Sequence, residues 1–275
     1  NKTFFKYFIE ASTSKEIILN ILSSYTYITA AIGKLYTKNI IHYDIKGENI
    51  MYNNVKKVPI VIDFGLSIQL EYIKTEDDLA DAFYIYAPEY MLWSPEEHYL
   101  SYLANENPYP TEDEIKEIAE SIVDENSALE YVCSPSFIKK YKSLLVKNLL
   151  QYLNVPPMKV FESMKQYAYS WDNYAISIMY MRVLYYLHSD GFENNKFITF
   201  FMKLLLQNIH PDASRRFTSK ETITLFEDYA YNTESVQVDY ASLFRQLKTK
   251  QKKIISMIET DERNINSVLD TKMKK

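Results

Sequence analysis

Four side chains with potential for chemistry fall within the short stretch of residues 40–65. Asp44 and Asp63 are carboxylates at the ends of apolar segments, and Lys46 and Asn49 lie between them. Carboxylate and amide oxygens are hard ligands that suit Mg²⁺. A carboxylate can also accept a proton, and an ammonium group can neutralise negative charge. The stretch therefore offers a base, a cation and two oxygen donors close together in sequence.

Two predicted elements position these groups. Residues 50–52 and 58–62 are short apolar runs around a polar turn, which predicts a β-hairpin with Pro59 in an edge or bulged strand. Such a hairpin places Asn49 and Asp63 on one side, close enough to share a cation. Upstream, Thr13 and Glu16 have the spacing of a capping box. Apolar residues then recur at helical spacing, which predicts a helix that ends near residues 34–36.

The motifs in this stretch resemble those of eukaryotic-type protein kinases. Residues 42–49 read His-Tyr-Asp-Ile-Lys-Gly-Glu-Asn, residues 63–65 read Asp-Phe-Gly, and residues 87–89 read Ala-Pro-Glu. They are similar to the catalytic loop, the metal-binding segment and the closing motif of that family. A lysine two residues after Asp44 resembles the serine/threonine branch.

The resemblance implies a role for each polar residue. Asp44 would orient an acceptor hydroxyl and take its proton, while Lys46 would neutralise the transferred phosphoryl group. Asn49 and Asp63 would hold Mg²⁺ on the phosphates of ATP, and the substrate would be a protein. The residues implied to contact ATP are Met51 and Ile62.

Further residues are implied to support the site. Glu89 and Arg216 would form a buried ion pair, with a pair of unrelated surface charges as the alternative. Asp172 would cap the backbone of the catalytic loop, although its position also permits an ordinary helix N-cap. The other supporting residues are His42, Phe64 and Gly65.

Two departures from the family pattern concern regulation and acceptor choice. Tyr43 replaces the arginine that clamps a phosphorylated activation loop. We therefore predict that phosphorylation does not switch this protein, and that the acidic run at residues 76–81 keeps the segment in one state. Ala82 stands where we expect a threonine in contact with the catalytic aspartate and lysine.

The predicted fold is mainly α: a protein-kinase-like C-terminal lobe with a short β-hairpin at the catalytic loop. The lobe would cover residues 1–230, interrupted by a helical insertion at about 91–169 and followed by a charged helical tail at 231–275. Within the insertion, Thr111 and Ser136 would each cap one helix of an antiparallel pair that ends at Pro156-Pro157. An N-terminal β-lobe is expected to be absent, because residues 1–40 contain no glycine-rich loop and only one glycine, Gly33.

Composition narrows the functional classes. The 275 residues carry a net charge of −5, which gives no sign of a nucleic-acid-binding surface. No apolar run is long enough to span a bilayer. The single cysteine, Cys133, favours a reducing compartment, so we expect a cytoplasmic protein. The bias towards Lys, Asn, Ile and Tyr is typical of AT-rich genomes such as those of large DNA viruses, for which the location would be host cytoplasm or the virion.

Three functions fit these observations. The first is an active serine/threonine kinase lobe, favoured by the complete set of Asp44, Lys46, Asn49 and Asp63. The second is a non-catalytic kinase-like scaffold or structural component, for example of a virion, which binds a protein partner through residues 91–169. The third is a small-molecule phosphotransferase of the aminoglycoside or choline kinase type, against which Lys46 and the Ala-Pro-Glu motif argue.

Overall fold

The structure is a computed structural model that describes residues 2–3, 14–53, 55, 58–188, 196–232, 260, 263–265, 267–268 and 271–273. The described part is mainly helical, as the sequence predicts. Its β-strands are β1 (Lys2–Thr3), β2 (Ile40–Ile41), β3 (Ile50–Asn53), β4 (Val58–Val61) and β5 (Ile68–Gln69). Its α-helices are α1 (Ser14–Tyr36), α2 (Glu76–Ala82), α3 (Pro95–Asn105), α4 (Glu112–Asp124), α5 (Ser127–Val132), α6 (Pro135–Leu150), α7 (Pro157–Lys165), α8 (Trp171–His188), α9 (Lys196–Asn208) and α10 (Ser219–Asn232).

Helix α1 leads into the stretch that carries the polar residues. It ends at Tyr36, which confirms the predicted helix, while Thr13 lies outside the described residues. Gly33 allows α1 to approach the start of α10, because a Cβ at Gly33 would lie 3.0 Å from the Cβ of Ser219. The close packing of α1 and α10 fixes the direction in which the chain enters β2.

The strands form two small antiparallel sheets. One has the strand order β1-β3-β4, and the other pairs β2 with β5. In the first sheet Ile50 pairs with Val61 and Tyr52 pairs with Pro59, so the predicted hairpin is confirmed. Strand β4 lies at the edge of its sheet, as expected for a strand that contains a proline.

Helix α8 lies at the centre of the core. Its side chains at Tyr174, Ile176, Ile178 and Met181 are completely buried, as expected for a helix that is apolar on all sides. The ring of Tyr25 on α1 packs against Phe201 of α9 at a centroid distance of 4.8 Å. Helices α1, α8 and α9 thus form one continuous core under the two sheets.

Residues 91–169 contain helices α3 to α7. Thr111 forms the predicted capping box at the start of α4. The N-cap of α6 is Ser134 and not Ser136, because Pro135 occupies the first helical position and Ser134 Oγ accepts a hydrogen bond from Phe137 N at 3.3 Å. Helix α6 runs to Leu150, where the sequence predicts its end, but Pro156-Pro157 lead into a further helix, because Pro157 begins α7.

Helices α4 and α6 pack against each other, and Lys142 Nζ lies 2.7 Å from Asp124 Oδ2. An acidic residue of α4 therefore pairs with a basic residue of α6. The boundaries of the insertion and of the lobe stay predictions.

Only part of the predicted tail is described. Residues 260, 263–265, 267–268 and 271–273 are helical, and Ile265 and Val268 pack against the core. The basic cluster at residues 248–253 lies outside the described residues. Within the described ranges, no helix combines the length and the apolar character needed to cross a membrane.

Candidate active site

The backbone around Asp44 is tied to the core by Asp172. Asp172 lies in the first turn of α8, and its carboxylate accepts hydrogen bonds from the backbone N–H groups of His42 (2.8 Å) and Tyr43 (3.1 Å). Burial raises the pKa of this carboxyl, and the two N–H donors partly offset that effect. The contact between Asp172 and the loop backbone is the one that the sequence predicts.

His42 locks the same loop from the other side. Its ring is completely buried, with Nε2 3.0 Å from the carbonyl oxygen of Ile62, while Nδ1 accepts from the backbone N–H of Asp44 at 3.4 Å. The neutral tautomer with a proton on Nε2 satisfies both contacts. His42 therefore joins the loop of residues 42–49 to the end of β4, which is a structural role.

The carboxylate of Asp44 is nearly buried and is bound by both of its predicted neighbours. Asn49 Nδ2 donates to Asp44 Oδ2 at 2.7 Å and to the Asp44 carbonyl oxygen at 2.9 Å. Lys46 Nζ lies 3.0 Å from the same Oδ2. The cluster thus holds one carboxylate in one orientation and neutralises its charge locally.

The hairpin brings Asn49 next to Asp63. The backbone N–H of Ile62 donates to the carbonyl oxygen of Asn49 at 2.8 Å, and Asp63 is the next residue along the chain. Asp63 is exposed and has a left-handed backbone (φ 61°), and its Oδ1 accepts from the N–H of Gly65 at 3.2 Å. The short turn explains the small residue at position 65, since a Cβ on Gly65 would lie 3.2 Å from that same Oδ1.

The donor set at Asn49 and Asp63 fits Mg²⁺. Because Asn49 Nδ2 is engaged with Asp44, the amide oxygen on the other side of that planar group is the atom left for a metal. Within the described residues no lysine or arginine pairs with Asp63. The same residues contain no group of three His, Cys, Asp or Glu side chains that could hold a metal. Mg²⁺ commonly uses one or two protein oxygens together with phosphates and water, which is the set available here.

Phe64 lies over His42. Its ring centroid is 4.9 Å from that of His42, and 49% of the residue is exposed. Phe64 therefore connects the turn at Asp63 to the loop at His42, while much of its own ring is exposed.

Met51 and Ile62 lie on the outer side of the hairpin. Met51 pairs with Ile60, so both side chains share one face of the sheet, and Ile62 follows on that face two residues later. Ile60 is 44% exposed, and Met51 and Ile62 are half-buried. This partly exposed apolar face adjoins Asn49 and Asp63, where a flat aromatic ring would find a contact surface.

The prediction of a buried ion pair between Glu89 and Arg216 is wrong, because the partner of Arg216 is Glu96. Arg216 binds Glu96 in a bidentate pair, with Nη1 to Oε2 at 2.6 Å and Nη2 to Oε1 at 3.1 Å. Arg216 Nε also donates to the carbonyl oxygen of His210 at 2.7 Å, which stabilises the turn between α9 and α10. Glu89 instead lies near the surface, 3.4 Å from Lys272 Nζ in the tail.

A second Pro-Glu pair explains this correction. Ser94-Pro95-Glu96 repeats the pattern of Ala87-Pro88-Glu89, but only the second copy begins a helix. Ser94 and Glu97 form a capping box with Pro95 at the first helical position, which orients Glu96 into the core. The Ser-x-x-Glu spacing marks the start of α3 in the sequence, but it does not by itself pair Glu96 with Arg216.

An aromatic cluster occupies the surroundings of Tyr43. Tyr43 has a left-handed backbone (φ 67°) and stacks on Trp93 with ring centroids 4.6 Å apart and planes at 16°. Trp93 Nε1 donates to the Tyr43 carbonyl oxygen at 2.8 Å, and Phe83 meets the Tyr43 ring edge-on at 5.6 Å. Burial raises the pKa of Tyr43 well above its usual value, so this residue stays neutral. Nothing in the sequence pattern had identified Trp93 as a partner of the loop.

The acidic run at residues 76–81 lies in helix α2. Thr75 caps this helix, and Asp78 accepts hydrogen bonds from the backbone N–H groups of Lys74 and Thr75, both at 2.9 Å. These bonds lower the pKa of Asp78. Acidic residues in a first helical turn interact favourably with the helix dipole. These contacts stabilise the start of α2, and the effect of the acidic run on the state of the segment stays a prediction.

Tyr90 is a second residue that the motifs did not reveal. Its hydroxyl donates to Asp44 Oδ1 at 3.0 Å, whereas Ala82, at the position considered for such a contact, is an alanine at the end of α2. Tyr90 directly follows the Ala-Pro-Glu triplet and lies 46 positions from Asp44, so no local pattern predicts their contact.

A family model described as the protein kinase domain matches residues 3–225 of the chain. A search of curated proteins found no match.

Proposed function

The chain belongs to the protein kinase domain family, and we propose on this premise that it is a serine/threonine protein kinase. It would transfer the γ-phosphate of ATP to a hydroxyl group of a protein. The observation that carries the proposal is the contact of the Asp44 carboxylate with Lys46 at 3.0 Å and with Asn49 at 2.7 Å, one residue from Asp63 across the hairpin.

Each residue then has a role in the transfer. Asp44 takes the proton of the acceptor hydroxyl as the new bond forms between that oxygen and the γ-phosphorus. The bond from the γ-phosphorus to the bridging oxygen breaks, and ADP leaves with the electron pair. Lys46 neutralises the charge on the transferred group. Asn49 and Asp63 would hold Mg²⁺, which would supply further neutralisation of phosphate charge.

The partly exposed apolar face of Met51 and Ile62 would contact the adenine ring. Residues 1–230 would form the C-terminal lobe of a kinase, with residues 91–169 as its insertion. The protein would be cytoplasmic, or in the host cytoplasm or the virion if it is viral. Lys46 supports serine or threonine as the acceptor, because the resemblance places this lysine in that branch of the family.

Asp44→Asn tests the proposal. We expect Mg²⁺-dependent transfer of label from [γ-³²P]ATP to dephosphorylated casein or histone, with label on serine and threonine after acid hydrolysis. Loss of a positioned base lowers rates by about 10²- to 10⁴-fold. Asp113→Asn is the matched control, because the Asp113 carboxylate is exposed and lies far along the chain from the site. Transfer at the wild-type rate in Asp44→Asn would exclude the role of Asp44.

A second candidate is a kinase-like scaffold that binds partners through residues 91–169. The observation in its favour is the low exposure of Asp44, which is 6%, together with the engagement of both carboxylate oxygens. Binding of ATP to the wild-type chain without transfer to any acceptor protein would support this function over the first.

A further inference from the structure

Tyr90 lies in the segment that connects α2 to α3. Its backbone forms two successive turns, with Tyr90 N bonded to the Ala87 carbonyl oxygen at 3.0 Å and Trp93 N bonded to the Tyr90 carbonyl oxygen at 3.2 Å. Only 1% of the residue is exposed, and its ring meets Trp93 edge-on at 5.2 Å. Trp93 is itself bonded to the loop at Tyr43, so the position of Tyr90 relative to Asp44 is fixed from both sides.

The partners of Asp44 divide between its two oxygens. Asn49 Nδ2 and Lys46 Nζ both contact Oδ2, at 2.7 and 3.0 Å. Tyr90 is the side chain that contacts Oδ1 within the part of the chain that the structure describes. A carboxylate oxygen can accept two hydrogen bonds. Oδ1 therefore keeps one acceptor position, and Oδ2 has none left once its two partners are bound.

The hydroxyl of Tyr90 is a permanent donor. Burial, followed by the negative charge of Asp44, raises its pKa well above the usual value. A tyrosine hydroxyl can donate one hydrogen bond, and here the Asp44 carboxylate accepts it. Tyr90 thus favours one orientation of the Asp44 carboxylate.

We propose that Tyr90 is a positioning residue of the phosphotransfer site, whose hydroxyl holds Asp44 so that Oδ1 receives the proton of the acceptor hydroxyl. This inference rests on the proposed function and adds a residue outside the catalytic loop to it. It also explains why the segment between α2 and α3 is packed through Trp93 onto Tyr43: that packing sets the orientation of the base.

Tyr90→Phe tests the inference, because it removes one hydroxyl and keeps the ring. Hydrogen bonds to charged groups are strong enough that we expect kcat to fall about tenfold or more, with the KM for ATP unchanged. A residue that only packs would instead lower the folded fraction, so kcat is compared per folded molecule.

Tyr99→Phe is the matched control. The hydroxyl of Tyr99 is also buried but has no hydrogen-bond partner within the described residues. Its removal should leave kcat unchanged. Both variants are melted alongside the wild-type chain to compare their folded fractions.

Two results would overturn the inference. The first is a wild-type kcat in Tyr90→Phe. The second is a fall in kcat that a fall in folded fraction fully accounts for, which would reduce Tyr90 to a packing residue. Undiminished transfer in Asp44→Asn is a different result, because it would contradict the proposed function itself.

Discussion

The ion pair between Arg216 and Glu96 should be a major source of stability, and Glu96→Gln tests this. The side chain of Arg216 is 0% exposed and that of Glu96 is 8% exposed, and two hydrogen bonds join them. Removal of one partner of a buried pair leaves the other charge uncompensated, at a cost of about 3–5 kcal/mol. For a domain of this size the melting temperature should fall by about 10 °C.

Glu89→Gln provides the control, because this is the glutamate that the first Pro-Glu pair identifies. The side chains of Glu89 and Lys272 are about one-third exposed and lie 3.4 Å apart. Such a pair contributes at most about 1 kcal/mol, and salt weakens it further. We therefore expect little change in the melting temperature of Glu89→Gln.

Thermal and urea unfolding, followed by circular dichroism, separate the two variants. A loss of stability confined to Glu96→Gln, with an unchanged urea m-value, assigns the effect to the native state. The reasoning is refuted if Glu96→Gln melts within about 3 °C of the wild-type chain, or if Glu89→Gln costs as much as Glu96→Gln does.

Two further predictions concern regulation and pH. Phosphatase treatment should leave activity unchanged. Tyr43, stacked on Trp93 with ring centroids 4.6 Å apart, occupies the position where the family has a phosphate-clamping arginine. A large loss of activity on treatment contradicts this prediction. Burial lowers the pKa of His98 from 6.5 to about 3. Below pH 6.5 the unfolded chain therefore gains a proton that the folded chain excludes, and stability should fall by about 2 kcal/mol between pH 6.5 and 5. His98→Gln should lose that part of the slope in urea titrations at the two pH values, and an unchanged slope contradicts the assignment.

Local patterns in the sequence predicted the elements that carry the site. The periodicity of α1, the hairpin of β3 and β4 and the capping box at Thr111 depend on residues within a few positions of each other. Such patterns act through backbone propensity and local hydrogen bonds, which the sequence displays directly. The contact of Asn49 with Asp44 spans only five residues and belongs to the same group.

Patterns with two equivalent copies were resolved only by packing. Ala87-Pro88-Glu89 and Ser94-Pro95-Glu96 are equally good candidates for a partner of Arg216 when read as motifs. The choice depends on which glutamate reaches the core, and Glu96 does so because the capping box at Ser94 begins α3 there.

Neighbouring residues along the chain were enough to predict the loop of residues 42–49, the hairpin that aligns Asn49 with Asp63, and the family resemblance. Only the tertiary structure decided which side chains arrive from a distance: Tyr90 at Asp44 Oδ1, Trp93 against Tyr43, and Glu96 at Arg216. These contacts join residues 46, 50 and 120 positions apart. Their formation depends on how buried surfaces fit together, and no spacing rule in the sequence expresses that fit.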